Sequence, residues 1–211
     1  DGRPYGSRFP LLAAGDVVIS EVRLLNSLGI ERLHAAIGPS LGGLLALNLA
    51  TRYPDKVGTV IPIGAGLEVT SLQRIHNLEQ ILAIENDPAF AGGDYYGGPA
   101  PTRGLALARM ISHKSFISLE TMHQRARREV ADHRRVLRQG PYRIDHPLES
   151  YILHQGEKFV RRFDANSYLR LMDLWQHFDL LHDAGAPDYE SLFARCRDQR
   201  YLIFTIDSDV C

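Results

Sequence analysis

The sequence predicts an α/β fold, with a mostly parallel sheet, helices on both faces and a large helical insertion. Three observations predict it. Over the first 66 residues, helical and extended patterns alternate with short joins, which is typical of a parallel sheet covered by helices. From about residue 71 to residue 198 the patterns are mostly helical. An apolar, β-branched run at 201–206 then restores extended character, so we expect the chain to return to the sheet there.

The elements of the first half follow from local patterns. The stretch GDVVISEVRLLNSLGI predicts a helix, because its apolar residues recur at helical spacing and Gly29 lies where a left-handed C-terminal cap is expected. RLHAAIG at 32–38 predicts a short buried strand. The Ala- and Leu-rich residues 41–52 predict a helix that ends before Pro54. KVGTVIPIGAG at 56–66 predicts the next strand, because β-branched residues favour strands.

The insertion is recognised by six helical patterns separated by loops that hold most of the Pro and Gly. The sequence therefore predicts three segments: part of the sheet-containing core at 1–68, a helical lid insertion at 69–198, and a return to the core at 199–211. The helical patterns cover 71–86, 104–112, 118–139, 148–161, 166–181 and 188–198.

Composition excludes several classes of protein. Hydrophobic residues make up 45% and charged residues 23%, the balance of a soluble globular protein. With a net charge of −1, the chain has no overall electrostatic attraction to nucleic acid or to an anionic membrane. No apolar run approaches the roughly 20 residues of a membrane span. The first residues lack the pattern of a secretory signal, and the two cysteines fit a reducing compartment. We expect a cytoplasmic protein with no membrane or nucleic-acid partner.

A short motif lies between the first predicted strand and the second predicted helix. Residues 38–43 read GPSLGG, which contains G-x-S-x-G. At such a junction the pattern is typical of a nucleophile elbow, a turn so sharp that glycines flank the serine. It would expose the Ser40 hydroxyl, and the Leu41 N–H at the helix N-terminus would face a developing oxyanion. A tight turn with a serine helix cap is the alternative; the flanking elements favour the nucleophile.

A serine nucleophile needs a base that activates it and an acid that orients the base. Asp207 and Asp209 follow the predicted strand 201–206, where the chain order serine, acid, histidine places the acid. A turn or a helix cap is the alternative role for both. All nine histidines precede these residues, so we expect the base to lie beyond residue 211. The absent initial Met and the strand pattern at the end lead us to expect further sequence at both ends.

Longer motifs resemble a known family. The stretches that carry the resemblance are GRPYGSRFP, LGIERLHAAIGPSLGGLLALNLATRYPDKV, ENDPAFAGGDYY, GLALAR, ESYILHQGEKFVRRFDANSYLRLMD and the closing DSDV. They are similar to the homoserine O-acetyltransferase family, acyltransferases of the α/β-hydrolase fold with a helical lid. The similarity covers nearly the whole chain in order, and HQGEKFVRRFDANSYL is far more specific than the elbow.

The resemblance implies roles for particular residues. Ser40 would take an acetyl group from acetyl-CoA and pass it to the hydroxyl of homoserine, a step of methionine biosynthesis. Asp209, rather than Asp207, would be the acid, because the family's "SD" matches Ser208-Asp209. Acetyl-CoA would be a substrate, with no resident cofactor, and the partner a second copy bound through the lid helices. The catalytic histidine and the second oxyanion N–H would come from family segments that lie outside this chain.

The sequence departs from the family near the substrate. The family usually places an arginine in the stretch "RQAI..DP", close to the active site, where it would serve the substrate's carboxylate; here the matching residue is Ile81. Arg74 or Arg103 is the alternative cation. Arg74, Tyr95 and Asp164 are therefore the candidate substrate-binding residues. Asp164 and Asn166 also have the position of helix-start caps.

Two further signals concern ligands. The basic run RARREVADHRRVLRQ at 125–139 favours a solvated lid face, with a site for CoA phosphates or a dimer surface as alternatives. No histidines and acidic residues have zinc-ligand spacing, so we expect no metal. Other functions left open are a serine hydrolase or esterase, an acyltransferase for another hydroxyl amino acid such as serine, and a non-catalytic homologue.

Overall fold

A computed structural model of the chain describes residues 2–127 and 144–207. Contacts divide these residues into two compact units. The sheet unit comprises residues 11–70 and 173–207, and the helical unit comprises residues 2–10, 71–127 and 144–172.

Nine α-helices and three strands form within the described residues. The strands are β1 (Leu33–Pro39), β2 (Val57–Ile63) and β3 (Arg200–Tyr201). The helices are α1 (Ala14–Ser27), α2 (Leu41–Arg52), α3 (Ser71–Glu85), α4 (Thr102–His113), α5 (Leu119–Ala126), α6 (Pro147–Val160), α7 (Ala165–Gln176), α8 (Leu180–Ala184) and α9 (Tyr189–Ala194).

The strands form a parallel sheet in the order β1-β2-β3, which confirms the predicted α/β class. Register places Leu33 beside Val57 and the end of β1 beside the end of β2. The third strand is shorter than the predicted 201–206. Only Arg200 and Tyr201 pair as a strand, although Phe204 forms a single parallel bridge with Ile63 and its N–H donates to the Pro62 carbonyl at 3.1 Å.

The core of the sheet unit is built around α2. Its residues from Gly43 to Thr51 are almost all buried, and they pack with Val57 and Val60 of β2 in one hydrophobic cluster. Ala14 and Val18 of α1 complete one side of it. This arrangement explains why α2 is rich in Ala and Leu along its whole length, since a helix buried on most sides needs apolar residues all round.

The boundaries of the units differ from the predicted segments. We predicted that the whole of 69–198 belongs to the insertion, but residues from 173 onward belong to the sheet unit, because Leu174, Phe178, Leu180 and Leu192 join its hydrophobic cluster. The first ten residues, predicted within the core, instead belong to the helical unit. The Ser7 N–H and hydroxyl both bind the Asp94 carboxylate there, at 3.0 and 2.8 Å.

The predicted helices of the insertion are present with small changes. The helix predicted at 166–181 is two helices, because Asp179 caps a new start: its carboxylate accepts from the His182 N–H at 2.9 Å. The helix predicted at 118–139 begins as α5, and most of the basic run at 125–139 lies outside the described residues.

Two glycines let the helices of the helical unit approach closely. A Cβ at Gly104 of α4 would lie 2.5 Å from the Ala83 carbonyl oxygen of α3, and a Cβ at Gly156 of α6 would lie 2.9 Å from the Ala106 carbonyl oxygen of α4. Both distances are too short for a side chain. The glycines therefore set how tightly α3, α4 and α6 pack.

His113, the last residue of α4, is buried beside Tyr151 of α6. It is 3% exposed, one ring nitrogen (Nε2) lies 3.1 Å from the Tyr151 hydroxyl, and the other (Nδ1) has no hydrogen-bond partner. Burial, and then the positive charges of Arg109 and Arg125, lower the pKa of His113 to about 4. The histidine is therefore neutral in the folded protein at pH 7.

We expect His113 to make folding stability depend on pH. Its folded pKa of about 4 lies below its ordinary value of 6.5, so the unfolded chain binds the proton more tightly. The stabilising contribution of neutral His113 to the free energy of unfolding should be fully present above pH 6.5. It should decrease as the pH drops toward 4, by about 2 kcal/mol at pH 5. Urea unfolding of the full-length protein at pH 7.5, 6 and 5 measures this.

The comparison is with His113→Gln, which stays neutral and can still bind Tyr151, and should lack this part of the pH dependence. The exposed His123 of α5 provides the matched control, because the His123→Gln variant should retain the pH dependence of stability that His113 causes. An equal loss of stability on acidification in His113→Gln and in the unchanged protein would contradict the prediction.

Candidate active site

The backbone of Ser40 has an unusual conformation. Its φ is +50° and its ψ is −124°, and among the described residues only Ala91 is another non-glycine residue with positive φ. Such a conformation costs about 1–3 kcal/mol and persists only where the surroundings impose it. It places an exposed serine between the end of β1 and the start of α2, the arrangement of a nucleophile elbow.

Hydrogen bonds hold this turn in place. The Ser40 N–H donates to the Ile63 carbonyl of β2 at 2.8 Å, which ties the turn to the neighbouring strand. The Ser40 carbonyl accepts from the Gly43 and Leu44 N–H groups at 2.8 and 3.2 Å, which begins the helix. The side chain is thereby left to project from a fixed backbone.

Two glycines, Gly38 and Gly43, make the turn possible, and only Gly38 belongs to the G-x-S-x-G motif. A Cβ at Gly38 would lie 2.1 Å from the Gly42 carbonyl oxygen, and a Cβ at Gly43 would lie 2.6 Å from the Ala65 Cβ. At Gly42 a Cβ would meet only the Pro39 ring at an ordinary 3.6 Å. The expectation that the glycine two positions after Ser40 is sterically required is therefore wrong; Gly43 has that role.

Leu41 occupies the position predicted for an oxyanion donor. It is the first residue of α2, so its N–H lies outside the hydrogen bonds within the helix. The helix N-terminus adds partial positive charge at the same point. Its role in binding an oxyanion stays a prediction.

The candidate acids follow the last strand. Asp207 is exposed in a turn three residues after Phe204, and Asp209 lies outside the described residues. Because all three strands are parallel, the turn at Asp207 leaves the same edge of the sheet as Ser40, with β2 between them. Two strand spacings separate the backbones of β1 and β3 by about 10 Å. The choice between the two carboxylates stays a prediction.

Two histidines of the sheet unit, His177 and His182, contact groups other than Ser40. The His177 Nδ1 lies 2.9 Å from the Asp173 carbonyl oxygen, and the His182 Nδ1 lies 3.8 Å from the Asp183 carboxylate. Neither of them forms a hydrogen bond with Ser40 in the part of this unit that the structure describes.

In the helical unit, the structure brings two predicted substrate-binding residues together. The buried Tyr95 donates its hydroxyl hydrogen to Asp164, and Tyr96, stacked on Tyr95 with ring centres 4.6 Å apart, donates to the same carboxylate at 3.0 Å. The Asn166 N–H donates to the Tyr95 hydroxyl oxygen at 3.2 Å. Burial first, and then the hydrogen bond to Asp164, raise the pKa of Tyr95.

Asp164 is a helix cap, as the sequence predicts. It accepts from the Ser167 N–H at 2.8 Å at the start of α7. Burial alone would raise the pKa of Asp164, but the hydrogen bonds from Tyr95, Ser167 and Tyr96 together hold it below its usual value. This carboxylate already accepts from several protein groups, so in this structure it positions the two tyrosines.

Asn166 is not a cap, contrary to the prediction, because it lies within the first turn of α7. Its side-chain amide instead donates to the Gly93 carbonyl at 2.8 Å. This bond holds the tight turn at Pro88–Gly93 against the start of α7.

The cations proposed for the substrate carboxylate are exposed. Arg74 lies on α3 and Arg103 on α4, whereas Ile81, which matches the family's arginine, is half-buried on α3. None of these positions is tested as a binding site, and their roles stay predictions.

The described residues show neither a metal-binding cluster nor a membrane-spanning helix. Among residues 2–127 and 144–207, no group of three or more His, Cys, Asp or Glu side chains could hold a metal ion. No helix in the same ranges combines the length and apolar character that a membrane crossing requires.

Curated relatives support the motif resemblance. A homoserine O-acetyltransferase of Symbiobacterium thermophilum is 43% identical over 209 residues, which are 99% of this chain and 54% of the relative. A homoserine O-succinyltransferase of Magnetococcus marinus is 39% identical over 217 residues, 99% of this chain and 53% of the relative. The predicted likeness to the homoserine O-acetyltransferase family is thus confirmed. The chain spans about half the length of the curated relatives it matches.

Solved structures and a family model agree on the fold. A homoserine O-acetyltransferase of Bacillus anthracis superposes with a TM-score of 0.84 at 24% identity, over 99% of this chain and 54% of that one. An acetylester hydrolase of Corynebacterium glutamicum superposes with a TM-score of 0.79 at 24% identity, over 99% of this chain and 56% of that one. The model described as "alpha/beta hydrolase fold" matches residues 3–172. The chain therefore belongs to the α/β-hydrolase fold family.

Proposed function

We propose that the whole protein transfers an acetyl group from acetyl-CoA to the hydroxyl of homoserine through an acyl-serine intermediate. The observation that carries the proposal is the left-handed backbone of Ser40 at the turn between β1 and α2. The relatives named homoserine O-acetyltransferase, at 36–43% identity, support this choice of reaction.

The proposed chemistry has two half-reactions. The Ser40 oxygen attacks the thioester carbonyl and loses its proton to the base, the oxyanion is held by the Leu41 N–H, and the C–S bond breaks as CoA leaves as the thiol. The hydroxyl of homoserine then attacks the acyl-serine and releases Ser40. The base is the histidine that the resemblance places after residue 211, with Asp209 as its partner.

Acetyl-CoA is consumed as a substrate, and no resident cofactor or metal takes part. The reaction serves methionine biosynthesis in the cytoplasm. The physical demand is exclusion of water, because an acyl-serine open to solvent hydrolyses; the lid predicted from the sequence would meet that demand.

Three alternatives remain distinguishable. A hydrolase would pass the acyl group to water, a succinyltransferase would prefer another donor, and a non-catalytic homologue would not form the acyl-serine. The relatives include both acetyl and succinyl transferases at similar sequence identity, so sequence identity does not distinguish between acetyl-CoA and succinyl-CoA as the acyl donor. The solved structure of an acetylester hydrolase has the same fold, so the fold alone does not distinguish between acyl transfer and hydrolysis.

An assay of the full-length protein separates these functions. We expect kcat/KM with acetyl-CoA and homoserine to exceed that of every pairing with succinyl-CoA or serine by about tenfold or more, the scale of ordinary substrate discrimination. Release of CoA that homoserine does not accelerate would identify a hydrolase and contradict the proposal.

Ile81→Arg tests how the acceptor's carboxylate is held. A free amino acid in a dry site carries a carboxylate, and an unpaired buried charge is strongly disfavoured. We propose that Arg74 or Arg103 already binds it. The added arginine should then leave kcat/KM for homoserine unchanged or lower it, through crowding and like-charge repulsion. Ile81→Met is the uncharged control. A clear increase in kcat/KM for homoserine in Ile81→Arg, but not in Ile81→Met, would show that homoserine is not the native acceptor.

We also propose a homodimer through the lid helices. Helix α3 supports it, because four large apolar residues at helical spacing lie exposed along it: Leu72, Ile75, Leu78 and Leu82, at 43, 55, 50 and 45% exposure. Ile75→Glu should halve the mass of the full-length protein in light scattering. Leu24→Glu, at an equally exposed position on α1, is the control and should not. A dimer that survives Ile75→Glu combined with Leu78→Glu would contradict this interface.

A further inference from the structure

A cluster of arginine and phenylalanine side chains lies on α4 and α6 of the helical unit and in the segments that follow these two helices. The Arg109 guanidinium is between two rings, with its Cζ 4.8 Å from the centre of Phe116 and 4.9 Å from the centre of Phe159. The Arg162 guanidinium is 5.8 Å from the same Phe159 ring. These four residues form the arginine–aromatic cluster. Cation–π contacts of this kind hold a guanidinium in place without neutralising it.

The cluster has two positive charges and no described counter-charge. Within residues 2–127 and 144–207, neither Arg109 nor Arg162 has a carboxylate as an ion-pair partner. Burial, and to a smaller degree the charge of Arg162, lower the pKa of Arg109. Two guanidinium groups that share one ring repel each other, and a half-buried charge is poorly solvated. Such an arrangement favours an anion from solution.

Further aromatic rings pack against the Phe159 ring of the cluster. Phe163 stacks on Phe159 with ring centres 4.8 Å apart and planes 16° from parallel, and Tyr168 meets both rings edge-on. Stacking by Phe163 occupies one face of Phe159. The guanidinium groups are thus held in a fixed relation to one ring, which lowers the entropy lost when they bind a ligand together.

The cluster is accessible from solvent. Phe116, at one end, is 53% exposed, and Arg162, at the other, is also exposed. A ligand can therefore reach the guanidinium N–H groups without opening the helical core.

We propose that the arginine–aromatic cluster binds a phosphate group. A phosphate dianion balances the two guanidinium charges, and its oxygens accept the paired N–H groups that each arginine presents. A single carboxylate would neutralise only one of them. The group can come from free phosphate or from a nucleotide, whose base could also stack on the exposed Phe116 ring. The inference rests on the helical unit's own contacts and goes beyond the proposed acyl transfer.

The test measures binding of inorganic phosphate and of adenosine 3′,5′-bisphosphate to the full-length protein by calorimetry. Arg162→Gln should weaken binding of both probes by about tenfold or more, the scale of one lost charged hydrogen-bonding group. Arg161→Gln is the matched control: it removes the same charge from the neighbouring exposed residue at the end of α6, and should change the Kd by no more than about twofold.

Arg109→Gln should weaken binding further, with folding checked by circular dichroism. Should the Arg109→Gln variant not fold, the comparison of Arg162→Gln with Arg161→Gln still decides the question. Equal weakening in those two variants would show a diffuse charge effect and overturn the site, as would no binding of either probe by the unchanged protein.

The two sources of phosphate are separated by competition. If the bisphosphate inhibits turnover competitively with acetyl-CoA and Arg162→Gln relieves that inhibition, the phosphate belongs to the acyl donor. If phosphate binds without competing, the source is free phosphate; both results support the site. Binding by a Ser40→Ala variant tests the site independently of acyl transfer, so failure of the proposed function leaves this measurement intact.

Discussion

Ser40→Ala in the full-length protein is expected to abolish the acetyl group that acetyl-CoA alone leaves on the peptide containing GPSLGG. Removing the attacking oxygen removes the acyl-enzyme route, and turnover should fall by about a thousandfold or more, as for other serine nucleophiles. Peptide mass spectrometry after incubation with acetyl-CoA measures the label.

The fold should survive the change. Alanine meets the same strain as serine at a φ of +50°, and the hydrogen bonds that hold the turn are made by the backbone. Ser20→Ala is the control, because this exposed serine of α1 only donates to the Val17 carbonyl and the label should be unchanged. Acetylation of the same peptide in Ser40→Ala would identify another nucleophile.

The second large effect is expected at the acid. Asp209→Asn should slow acetylation of Ser40 by about a hundredfold to ten-thousandfold, because the histidine loses the partner that sets its tautomer and stabilises its charge. Single-turnover kinetics with acetyl-CoA measure the rate without the second half-reaction.

Asp207→Asn is the matched control, two residues earlier and of the same chemistry. Asp207 is exposed in its turn, and its substitution should change the rate by less than about threefold, within the range of a modest surface change. Loss of activity only in Asp207→Asn, or equal losses in both variants, would show that the acid was assigned to the wrong carboxylate.

The two units show how far local patterns reach. Helices α1 to α4 and α6 begin and end within a few residues of their predicted ranges, because apolar spacing and caps act over a few residues. Helix α5 begins close to its predicted start but ends at Ala126, well before the predicted end at 139. The segment boundary predicted at 198 differs from the unit boundary at 173, because nothing local indicates that Leu174 and Leu192 pack in the hydrophobic cluster of the sheet unit. Where these two leucines pack depends on residues that are distant in the sequence.

The candidate site divides in the same way. Ser40 could be predicted, because a serine among glycines between a strand and a helix is a local pattern, and the structure places it in the strained turn expected there. The need for Gly43 could not be predicted, since the atom that excludes a side chain belongs to Ala65, which follows the neighbouring strand β2. Likewise, the sequence singles out Tyr95 and Asp164, but their mutual hydrogen bond requires residues 69 positions apart to meet.

The sequence by itself determined the parallel α/β class, the order of the helices and strands and the position of the elbow, because these depend on periodicity and turn chemistry within about ten residues. Only the tertiary structure decided which C-terminal helices complete the core around α2. It also decided that His113 is buried neutral against Tyr151, and that Arg109 and Arg162 share one phenylalanine ring. Burial and charge proximity arise between residues distant in the chain, so they are properties of the packed molecule.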